Sequence, residues 1–464
     1  MLRKILTYSA WAIGGLAALC VLLYLVGLLL NRHDQEPSAT ALRLTAEFRD
    51  RPAVPDEENS FVLFLGFGVP PGEDPFELGL KRVEWLRRTE EGAVFDYAAD
   101  PMGEPQDFEV SRHPAVREYL QSCGARGPDC RAELESAILA FEDWKESDAW
   151  LLERYRALIA MNAWREYIPT NSAGALPLTS YGKVTAGQKL LLLQVALLAS
   201  RRDATGAKEL LEQDLRFWRG VLASSDELIN KMVATAAILA HFKLGMAAIR
   251  GLPPEQVNVA TPAAWHDSFT EAERSMQRCL TAEWIFMSGV VRHADRVMSG
   301  VLTTEGSFAD KALDTLATPF YQPQDTINRH AEQITRISEL LENVRFMEYE
   351  AATNRVTELA RQAARESHPP RSLYNVIGQM MLGYMADYGS YARRLGDLEG
   401  VRLATLAAVA LREESVAPES IAAALAHSPF RNPYDGQPFA WDAADAAVVF
   451  RGLEPGKRGE HRIH

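Results

Sequence analysis

Two closely spaced cysteines are the residues of this chain with the most definite chemistry. Cys123 and Cys130 enclose the turn-forming residues Gly-Ala-Arg-Gly-Pro-Asp. In an oxidising compartment such a short loop predicts a local disulfide, and two unrelated free thiols are the alternative. A metal site would need at least two further ligands nearby, and the sequence around the pair offers no such set. Cys20 lies in an apolar run near the N-terminus, and Cys279 is interpreted as a buried free thiol.

The motifs of common hydrolases and nucleotide-binding proteins are absent from the sequence. It contains neither the His-Glu-x-x-His zinc motif nor the Gly-x-Ser-x-Gly nucleophile turn, and it has no Walker phosphate loop. The ten histidines are scattered. His241 lies in an apolar helical stretch, where we expect a core histidine with satisfied hydrogen bonds. The sequence therefore predicts no catalytic residue, no metal and no cofactor, and it favours a protein that is not an enzyme.

A cluster rich in methionine and tyrosine is the candidate partner surface. It lies between residues 374 and 391, with glycines interspersed. Methionine-rich faces serve as adaptable binding grooves, but the same residue types also pack helices together in a core. A third hypothesis is that they line the cavity of a carrier for an apolar ligand. The candidate surface residues are Tyr374, Met380, Met381, Tyr384, Met385 and Tyr388.

The elements that must position these residues begin with an apolar N-terminal segment. Ile5–Leu30 is an uncharged, mostly apolar run. A helix of about 26 residues spans on the order of 39 Å, and a bilayer core needs about 20 apolar residues. A cleaved signal peptide has an apolar region of only about 7–15 residues. The run therefore predicts a transmembrane signal-anchor helix that contacts the lipid bilayer.

The charges beside the run predict its orientation. Arg3 and Lys4 precede it, whereas Arg32 is quickly followed by acidic residues. The positive-inside rule then leaves residues 1–4 as a cytoplasmic tip and exports the rest. We expect a single-pass protein of the bacterial inner membrane with a periplasmic body.

The composition and one stripe of small residues indicate which partners the protein is expected to bind. The net charge is -13 and the pI is about 5.4, so nucleic acid is not an expected partner. Ala10, Gly14 and Ala18 form a small-xxx-small stripe, which could support a homodimer through the transmembrane helix. An envelope protein of unknown identity is the expected partner of the exported body.

Downstream of the span the sequence has a mainly helical pattern. Apolar residues recur at three- and four-residue spacing from about residue 132 onward. We predict a linker over 31–55, a helical periplasmic domain over 56–428 and a β-hairpin tail over 429–455. The body could be solenoid-like, although no fixed repeat period is found. The predicted fold class is mainly α, with a transmembrane helix, a large multi-helix body and a short C-terminal β-hairpin.

Local patterns inside the body give further predictions. Phe61–Phe67 is typical of a buried strand or an extended segment. Ser224–Glu227 has the pattern of a capping box that opens a helix. Residues 325–367 predict one very long helix or two colinear ones. Met232–Ala240 is apolar but too short for a second span.

The C-terminal stretch resembles a known tail. Asn-Pro-Tyr-Asp-Gly-Gln-Pro at 432–438 is similar to the Asp-Pro-aromatic-x-Gly-x-Pro tail of type II secretion major pseudopilins, with Asn432 in place of the usual Asp. The same tail occurs in uncharacterised proteobacterial single-pass envelope proteins with a helical periplasmic body. The segment from Glu58 to Pro75 resembles a stretch near the start of those proteins. The resemblance implies an envelope location and a hairpin that caps the helical body.

These features favour a membrane-tethered periplasmic protein-binding module, such as a scaffold, an assembly factor or an immunity-type inhibitor. A periplasmic hydrolase or lipid-modifying enzyme without a recognisable motif is one alternative. A helical carrier of an apolar ligand is the other. A deep pocket with convergent carboxylates or histidines would favour an enzyme, and a concave face would favour binding.

Overall fold

A computed structural model describes residues 2–88, 97–103, 111, 113–124, 130–170, 178–294, 315–367, 372–383 and 386–464. Within these ranges the chain forms eighteen α-helices and one small sheet, so the predicted mainly α fold with a C-terminal hairpin is confirmed. The helices are α1 (Leu2–Leu30), α2 (Ala39–Arg49), α3 (Ser60–Gly66), α4 (Pro75–Arg88), α5 (Pro114–Ser122), α6 (Arg131–Leu139), α7 (Phe141–Ala160), α8 (Tyr181–Ser200), α9 (Ala204–Ser224), α10 (Leu228–Ile249), α11 (Pro254–Ala260), α12 (Glu271–Arg274), α13 (Gln277–Arg292), α14 (Pro323–Leu341), α15 (Phe346–Ser367), α16 (Val376–Leu382), α17 (Tyr388–Glu413) and α18 (Ile421–His427).

Three consecutive helices, α8, α9 and α10, form the centre of the body. In α8 the residues Leu190–Leu193 are completely buried, and α10 is apolar around most of its circumference. A helix without a polar face is stable only where other elements cover it on all sides. From the sequence, residues 232–240 are too short for a membrane span, but the helix that contains them, α10, has 22 residues and is long enough to cross a membrane. Its burial against α8, α9 and α17 makes it a core helix.

Among the side chains that the structure describes, helix α1 contacts the body at its C-terminal end. Residues 11–23 are exposed, whereas Gly27 is buried and Tyr24 and Leu28 are half-buried. The ring of Tyr24 lies 5.5 Å from the ring of Phe320, centroid to centroid. A Cβ atom on Gly27 would lie 2.3 Å from that phenylalanine ring, so the close approach requires glycine. Three- and four-residue spacing puts these contacts on one face of the helix.

Hydrogen bonds of Asn31, which follows α1, reach two distant segments. Its Nδ2 donates to the carbonyl oxygen of Leu373 (2.6 Å), and its Oδ1 accepts from the backbone N–H of Asn375 (2.7 Å). Its own carbonyl oxygen accepts from Nε2 of Gln322 (2.8 Å). The end of α1 is therefore attached to the body by a buried polar contact.

Asp34 extends this attachment to the N-terminus of α14. Its carboxylate accepts from the backbone N–H groups of Gln324 (2.7 Å) and Asp325 (3.0 Å), which have no partner inside the helix. We call the contacts of residues 24–34 with the body, centred on Asn31, the joint.

The prediction of a linker over residues 31–55 is wrong. Helix α2 lies in this segment, and Ser38 caps it by accepting from a backbone N–H. The apolar face of α2 buries Ala41, Leu44 and Phe48 against α13 and α14. Pro37, Pro52 and Pro55, which are typical of a linker, only flank this short amphipathic helix, whose three apolar residues are enough to dock it.

The prediction of a strand or extended segment at Phe61–Phe67 is also wrong. These residues belong largely to helix α3, which the side chain of Asn59 caps. Every residue of α3 is buried. An apolar run that is buried on all sides shows neither the helical nor the strand period.

One other local prediction needs correction, and another is decided between its alternatives. The capping box at 224–227 does not form, because α10 begins at Leu228 without a side-chain cap and the hydroxyl of Ser225 donates back to the carbonyl of Val221 (2.7 Å). Of the two alternatives for residues 325–367, one long helix or two, the structure has two helices, α14 and α15. Asn343 lies in the break between them with φ 53°, a left-handed conformation that ends a helix.

The C-terminal segment forms three antiparallel strands in the order β1–β2–β3. They are β1 (Ala440–Asp442), β2 (Ala447–Arg451) and β3 (Glu460–Ile463). In the register Val448 pairs with Trp441 on one side and with Ile463 on the other. The predicted hairpin is β1–β2, and β3 is an additional strand that begins after residue 455.

Phe450 of β2 holds the sheet on α17. It is completely buried, and its ring occupies the space above Gly400, where a Cβ atom would lie 2.0 Å from the ring. On its other side the ring stacks with that of His461 in β3, at a centroid distance of 5.6 Å. The sheet therefore has a fixed position against α17.

Candidate binding cleft

A hydrogen-bonded network is sealed in the centre of the body, where α7, α8, α9 and α10 meet. Its centre is Asp214 on α9, which accepts from the hydroxyl of Tyr155, from Nε2 of Gln188 (3.1 Å) and from Nδ1 of His241 (2.7 Å). All four side chains belong to residues that are 0% exposed. A substrate in solvent therefore has no access to the acid–histidine pair.

Two tryptophans complete this network. Nε1 of Trp265 donates to Nε2 of His241 (2.8 Å), and Nε1 of Trp218 donates to the hydroxyl of Tyr155 (2.8 Å). Burial, followed by the charge of Asp214, raises the pKa of Tyr155. Both ring nitrogens of His241 have partners, which confirms the prediction of a satisfied core histidine. Apart from Oε1 of Gln188, the side-chain polar atoms of this network are hydrogen-bonded, and a buried network of this kind specifies how the surrounding helices pack.

A cleft of about 360 Å³ opens beside this network. It lies between α8 and α10 on one side and α17 and the C-terminal sheet on the other. Gln188 belongs to both features, since it donates to Asp214 and to the carbonyl of Ala237 and also lines the cleft. The wall formed by α10 is largely apolar and consists of Met232, Val233, Thr235, Ala236, Ala237, Leu239 and Ala240. Ligand sites occupy about 300–1,000 Å³, so this cleft suits a small ligand or a few side chains of a partner.

The opposite wall of the cleft is charged. Arg394 and Asp397 come from α17, and Glu454, Arg458 and His461 come from the C-terminal segment. Nε of Arg394 donates to the carboxylate of Glu454 (3.1 Å). Arg458 is exposed and makes no ion pair with any residue that the structure describes. The rim of the cleft therefore offers a guanidinium group to an incoming anion.

Lys189 is a further cation at the cleft, beside Arg394 and Arg458. Its Nζ donates to the carbonyl oxygen of Leu120 (2.6 Å), and burial lowers its pKa. Together with Arg458, it gives the rim two basic side chains from opposite walls.

Two buried polar atoms of the cleft residues have no hydrogen-bond partner within the described ranges. They are Oε1 of Gln188 and Nε2 of His461. The nearest carboxylate to Nε2 of His461 is that of Asp397, whose Oδ2 is 3.9 Å away, too far for a hydrogen bond. Buried polar atoms in proteins nearly always have partners. These two atoms therefore indicate a place for water or for polar groups of a ligand.

Two further clefts lie on the body. One of about 540 Å³ lies between residues 159–164 and α9, and one of about 470 Å³ lies between α14, α15 and residues 372–382. Among the described residues, the first contains none of the buried polar atoms without partners, and the second contains Oε1 of Gln333. The cleft beside α10 combines two such atoms with an unpaired cation, and we therefore take it as the candidate site.

A group of carboxylates lies at the start of α10, outside the cleft. Glu166 accepts from the backbone N–H groups of Asp226 (3.0 Å) and Glu227 (2.5 Å). Burial, followed by the charge of Glu283, raises the pKa of Glu227 to about 7. The carboxylate of Asp226 binds three arginines from separate parts of the chain, Arg51, Arg165 and Arg278. This group ties the segment after α2 and helix α13 to the central helices.

The predicted disulfide residues are close together. Cys123 and Cys130 lie at disulfide distance, with Cα atoms 5.6 Å apart. A carboxylate oxygen of Glu133 lies within 4.8 Å of both sulfur atoms, but sulfurs bonded to each other do not offer thiolates to a metal. Cys279 is buried, which raises the pKa of its thiol, and Cys20 is exposed on α1.

The predicted methionine- and tyrosine-rich surface is divided between surface and core. Tyr374 is half-buried beside the joint, and Met380 on α16 is exposed. Met381 is half-buried and packs on the core. Tyr388 is 4% exposed and belongs to the core, where a partner cannot reach it. The remaining two residues of the prediction, Tyr384 and Met385, lie outside the described residues.

Sequence reasoning did not identify the cleft. Apart from Gly124, its walls come from residues 185–240 and 394–461, and none of the lining residues belongs to a motif found in the sequence. Gln188, His461 and Arg458 are ordinary polar residues in their local sequence. The one local signal is the succession of alanines on α10, because their short side chains leave space beside that helix.

Comparison with known protein families, with curated protein sequences and with solved structures finds no match. The cleft is therefore interpreted from its own geometry and chemistry.

Proposed function

We propose that the chain is a single-pass protein of the bacterial inner membrane whose periplasmic body binds another envelope protein. The single observation that carries this proposal is the cleft beside α10. Beside its apolar wall, Lys189 and Arg458 lie at the rim on opposite sides, and Gln188 and His461 each contribute a buried polar atom that has no hydrogen-bond partner among the described residues. Such a surface is suited to recognition, because apolar area supplies affinity and convergent polar groups supply orientation.

Helix α1 supports the membrane location. Trp11–Leu30 is 20 residues long and all of them except Gly27 are exposed or partly exposed; this length corresponds to about 30 Å of helix and to the thickness of a bilayer core. Cleavage after the run would remove Tyr24 and Gly27 from the joint, so a retained anchor fits the packing better than a cleaved signal peptide. Arg3 and Lys4 favour a cytoplasmic N-terminus.

The cysteine pair supports the periplasmic location of the body. Cys123 and Cys130 are placed for a disulfide, and structural disulfides are typical of oxidising compartments. The homodimer through Ala10, Gly14 and Ala18 stays a prediction.

The chemistry of the cleft defines the segment that it would bind. Val233 and Met232 offer contact to an apolar side chain, and Arg458 and Lys189 offer charge to a carboxylate. Oε1 of Gln188 can accept a hydrogen bond from a backbone N–H. We propose an extended segment of the partner in which an apolar residue lies next to an acidic one.

Site-specific photo-crosslinking in living cells tests this proposal. A photoreactive amino acid in place of Val233 should form an adduct with one envelope protein. The same group in place of Val259, which is 51% exposed on α11, is the positional control and should not form it. Arg458→Glu should abolish the adduct because it reverses the charge at the rim, whereas Lys457→Glu, a neighbouring exposed position that does not line the cleft, should preserve it.

The outcomes separate the candidate functions. An adduct at Val233 that survives Arg458→Glu would contradict recognition through the charged rim. An adduct with a lipid or another small apolar molecule would favour the carrier function, for which the apolar wall of α10 is the supporting observation.

A topology reporter tests the location. An alkaline phosphatase that folds only in the periplasm, joined by a flexible linker after His464, should be active. Activity of a cytoplasmic reporter at the same position would contradict the proposed orientation.

A further inference from the structure

We infer that part of the body itself contacts lipid: the apolar surface beside the joint, formed by Leu316, Phe320, Leu373 and Met380, lies in the periplasmic leaflet of the membrane. This inference rests on the membrane anchoring proposed above. It adds a second lipid contact, made by the body, to the contact made by α1.

The depth of the joint along α1 is the first argument. Tyr24 precedes Leu30 by six residues, which is about 9 Å along the helix axis. Its ring contacts Phe320, and its hydroxyl donates to the carbonyl oxygen of Leu316 (3.4 Å). Residues 316–320 therefore reach well below the periplasmic end of the apolar helix.

The uncovered faces of α1 at the same level are the second argument. Leu25, Val26, Leu29 and Leu30 are 56%, 39%, 69% and 51% exposed, because the body covers only the opposite face. Moving a leucine side chain from water into an apolar environment is favourable. Lipid should therefore extend to Leu30, and lipid at that depth also surrounds residues 316–320.

The exposed side chains of the body beside α1 are the third argument. Leu316, Leu373 and Met380 are 53%, 38% and 38% exposed, and Leu373 is the residue whose carbonyl binds Asn31. Apolar patches of this kind on otherwise polar surfaces mark interaction sites. Leu316 and Leu373 lie beside the membrane helix, because their carbonyl oxygens bind Tyr24 and Asn31, and the bilayer is therefore the occupant that we infer for this surface.

Charged residues of both signs adjoin this apolar surface. Arg329, Glu332, Arg336 and Glu366 line the cleft of about 470 Å³ together with Ser372 and Gln379, the sequence neighbours of Leu373 and Met380. Apolar side chains bordered by charged groups suit the level at which the acyl chains meet the hydrated head groups.

The test measures the depth of single labelled positions in the full-length protein. Leu316→Cys and Leu373→Cys are made in a Cys20→Ser background and labelled with an environment-sensitive fluorophore. The protein is reconstituted into phosphatidylcholine nanodiscs that contain lipids with a nitroxide quencher on the acyl chain. Native Cys279 is buried and stays unlabelled, and the Cys123–Cys130 pair is kept oxidised.

Two controls frame the measurement. The native Cys20, exposed on α1, reports the anchor, and Met347→Cys, at a position 74% exposed on α15, reports a surface in water. We expect labels at 316 and 373 to show a blue shift and a loss of intensity comparable with those of the label on Cys20. Met380→Cys provides a third position if either variant shows altered circular dichroism.

Each outcome decides a different point. Labels at 316 and 373 that behave like the label at 347, while Cys20 is quenched, would overturn the inference and leave the anchor intact. A blue shift without quenching by the lipids would also overturn it, because protein rather than lipid would then cover the surface. An unquenched Cys20 would contradict the anchoring itself.

Discussion

Replacing Asn31 with alanine would show whether the joint depends on one side chain. In Asn31→Ala the carbonyl oxygen of Leu373 and the backbone N–H of Asn375 lose partners at 2.6 and 2.7 Å. A buried polar group that loses its partner costs about 1–3 kcal/mol, and water that enters the opened contact offsets part of this cost. For the two groups together we expect the joint to be weakened by about 2–4 kcal/mol.

Hydrogen exchange measures this weakening where it occurs. Local opening that becomes easier by about 2–4 kcal/mol speeds exchange roughly 30- to 1000-fold. The assay follows peptides covering residues 372–382 in the full-length protein, reconstituted into nanodiscs. Asn258→Ala, at an exposed asparagine of α11, is the matched control and should leave those peptides unchanged.

Peptides from α10 show whether the effect is local. Unchanged exchange at residues 372–382 in Asn31→Ala would refute the role given to this side chain. An equal acceleration in α10 would show global destabilisation, and the joint would then not be a separate structural unit.

Three other substitutions test buried charges and packing by unfolding in detergent. Glu227→Gln should stabilise the protein by up to about 3 kcal/mol at pH 8 but by under about 1 kcal/mol at pH 5. In the folded state the pKa of Glu227 is about 7, so its carboxyl group keeps a proton that the unfolded chain loses near the ordinary pKa of a glutamate. Stability therefore falls as the pH rises between these two pKa values. Burial lowers the pKa of His330 to about 4, so the unfolded chain alone takes up a proton below pH 6.5 and stability falls towards pH 4. His330→Gln should remove most of that acid loss, about 3 kcal/mol, and an unchanged pH profile in urea titrations would contradict this assignment. Gly400→Ala should cost about 1–3 kcal/mol because its Cβ would meet the ring of Phe450. Gly220→Ala on α9, where nothing lies within 4 Å, should be neutral or slightly stabilising, and equal melting temperatures for the two variants would count against this packing argument.

Elements with a local signal were predictable from the sequence. The apolar run at 5–30 corresponds to α1, and the helical spacing of the body corresponds to its many helices. The turn residues at 432–438 precede the β1–β2 hairpin, which forms as expected. In each case neighbouring residues determine the element, so one stretch of sequence contains the information.

The joint and the cleft were not predictable in this way. Asn31 and Asn375, or Gln188 and His461, are polar residues whose roles depend on contacts across most of the chain. Helix α3 was misassigned for a related reason, because burial on every side removes the period that identifies a helix. Tertiary packing decides these features, and a single sequence does not display it.

The order of synthesis gives the joint a further consequence. Asn31 is made early, whereas its partners Gln322 and Asn375 follow 291 and 344 residues later. At about 5–20 residues per second, the ribosome supplies them only after roughly 15–70 s. In the proposed topology α1 therefore waits in the bilayer with Gly27 uncovered while most of the body is translocated. The cleft is completed later still, because His461 lies in the final strand, and translation that stops just before β3 would leave an anchored chain without a binding site.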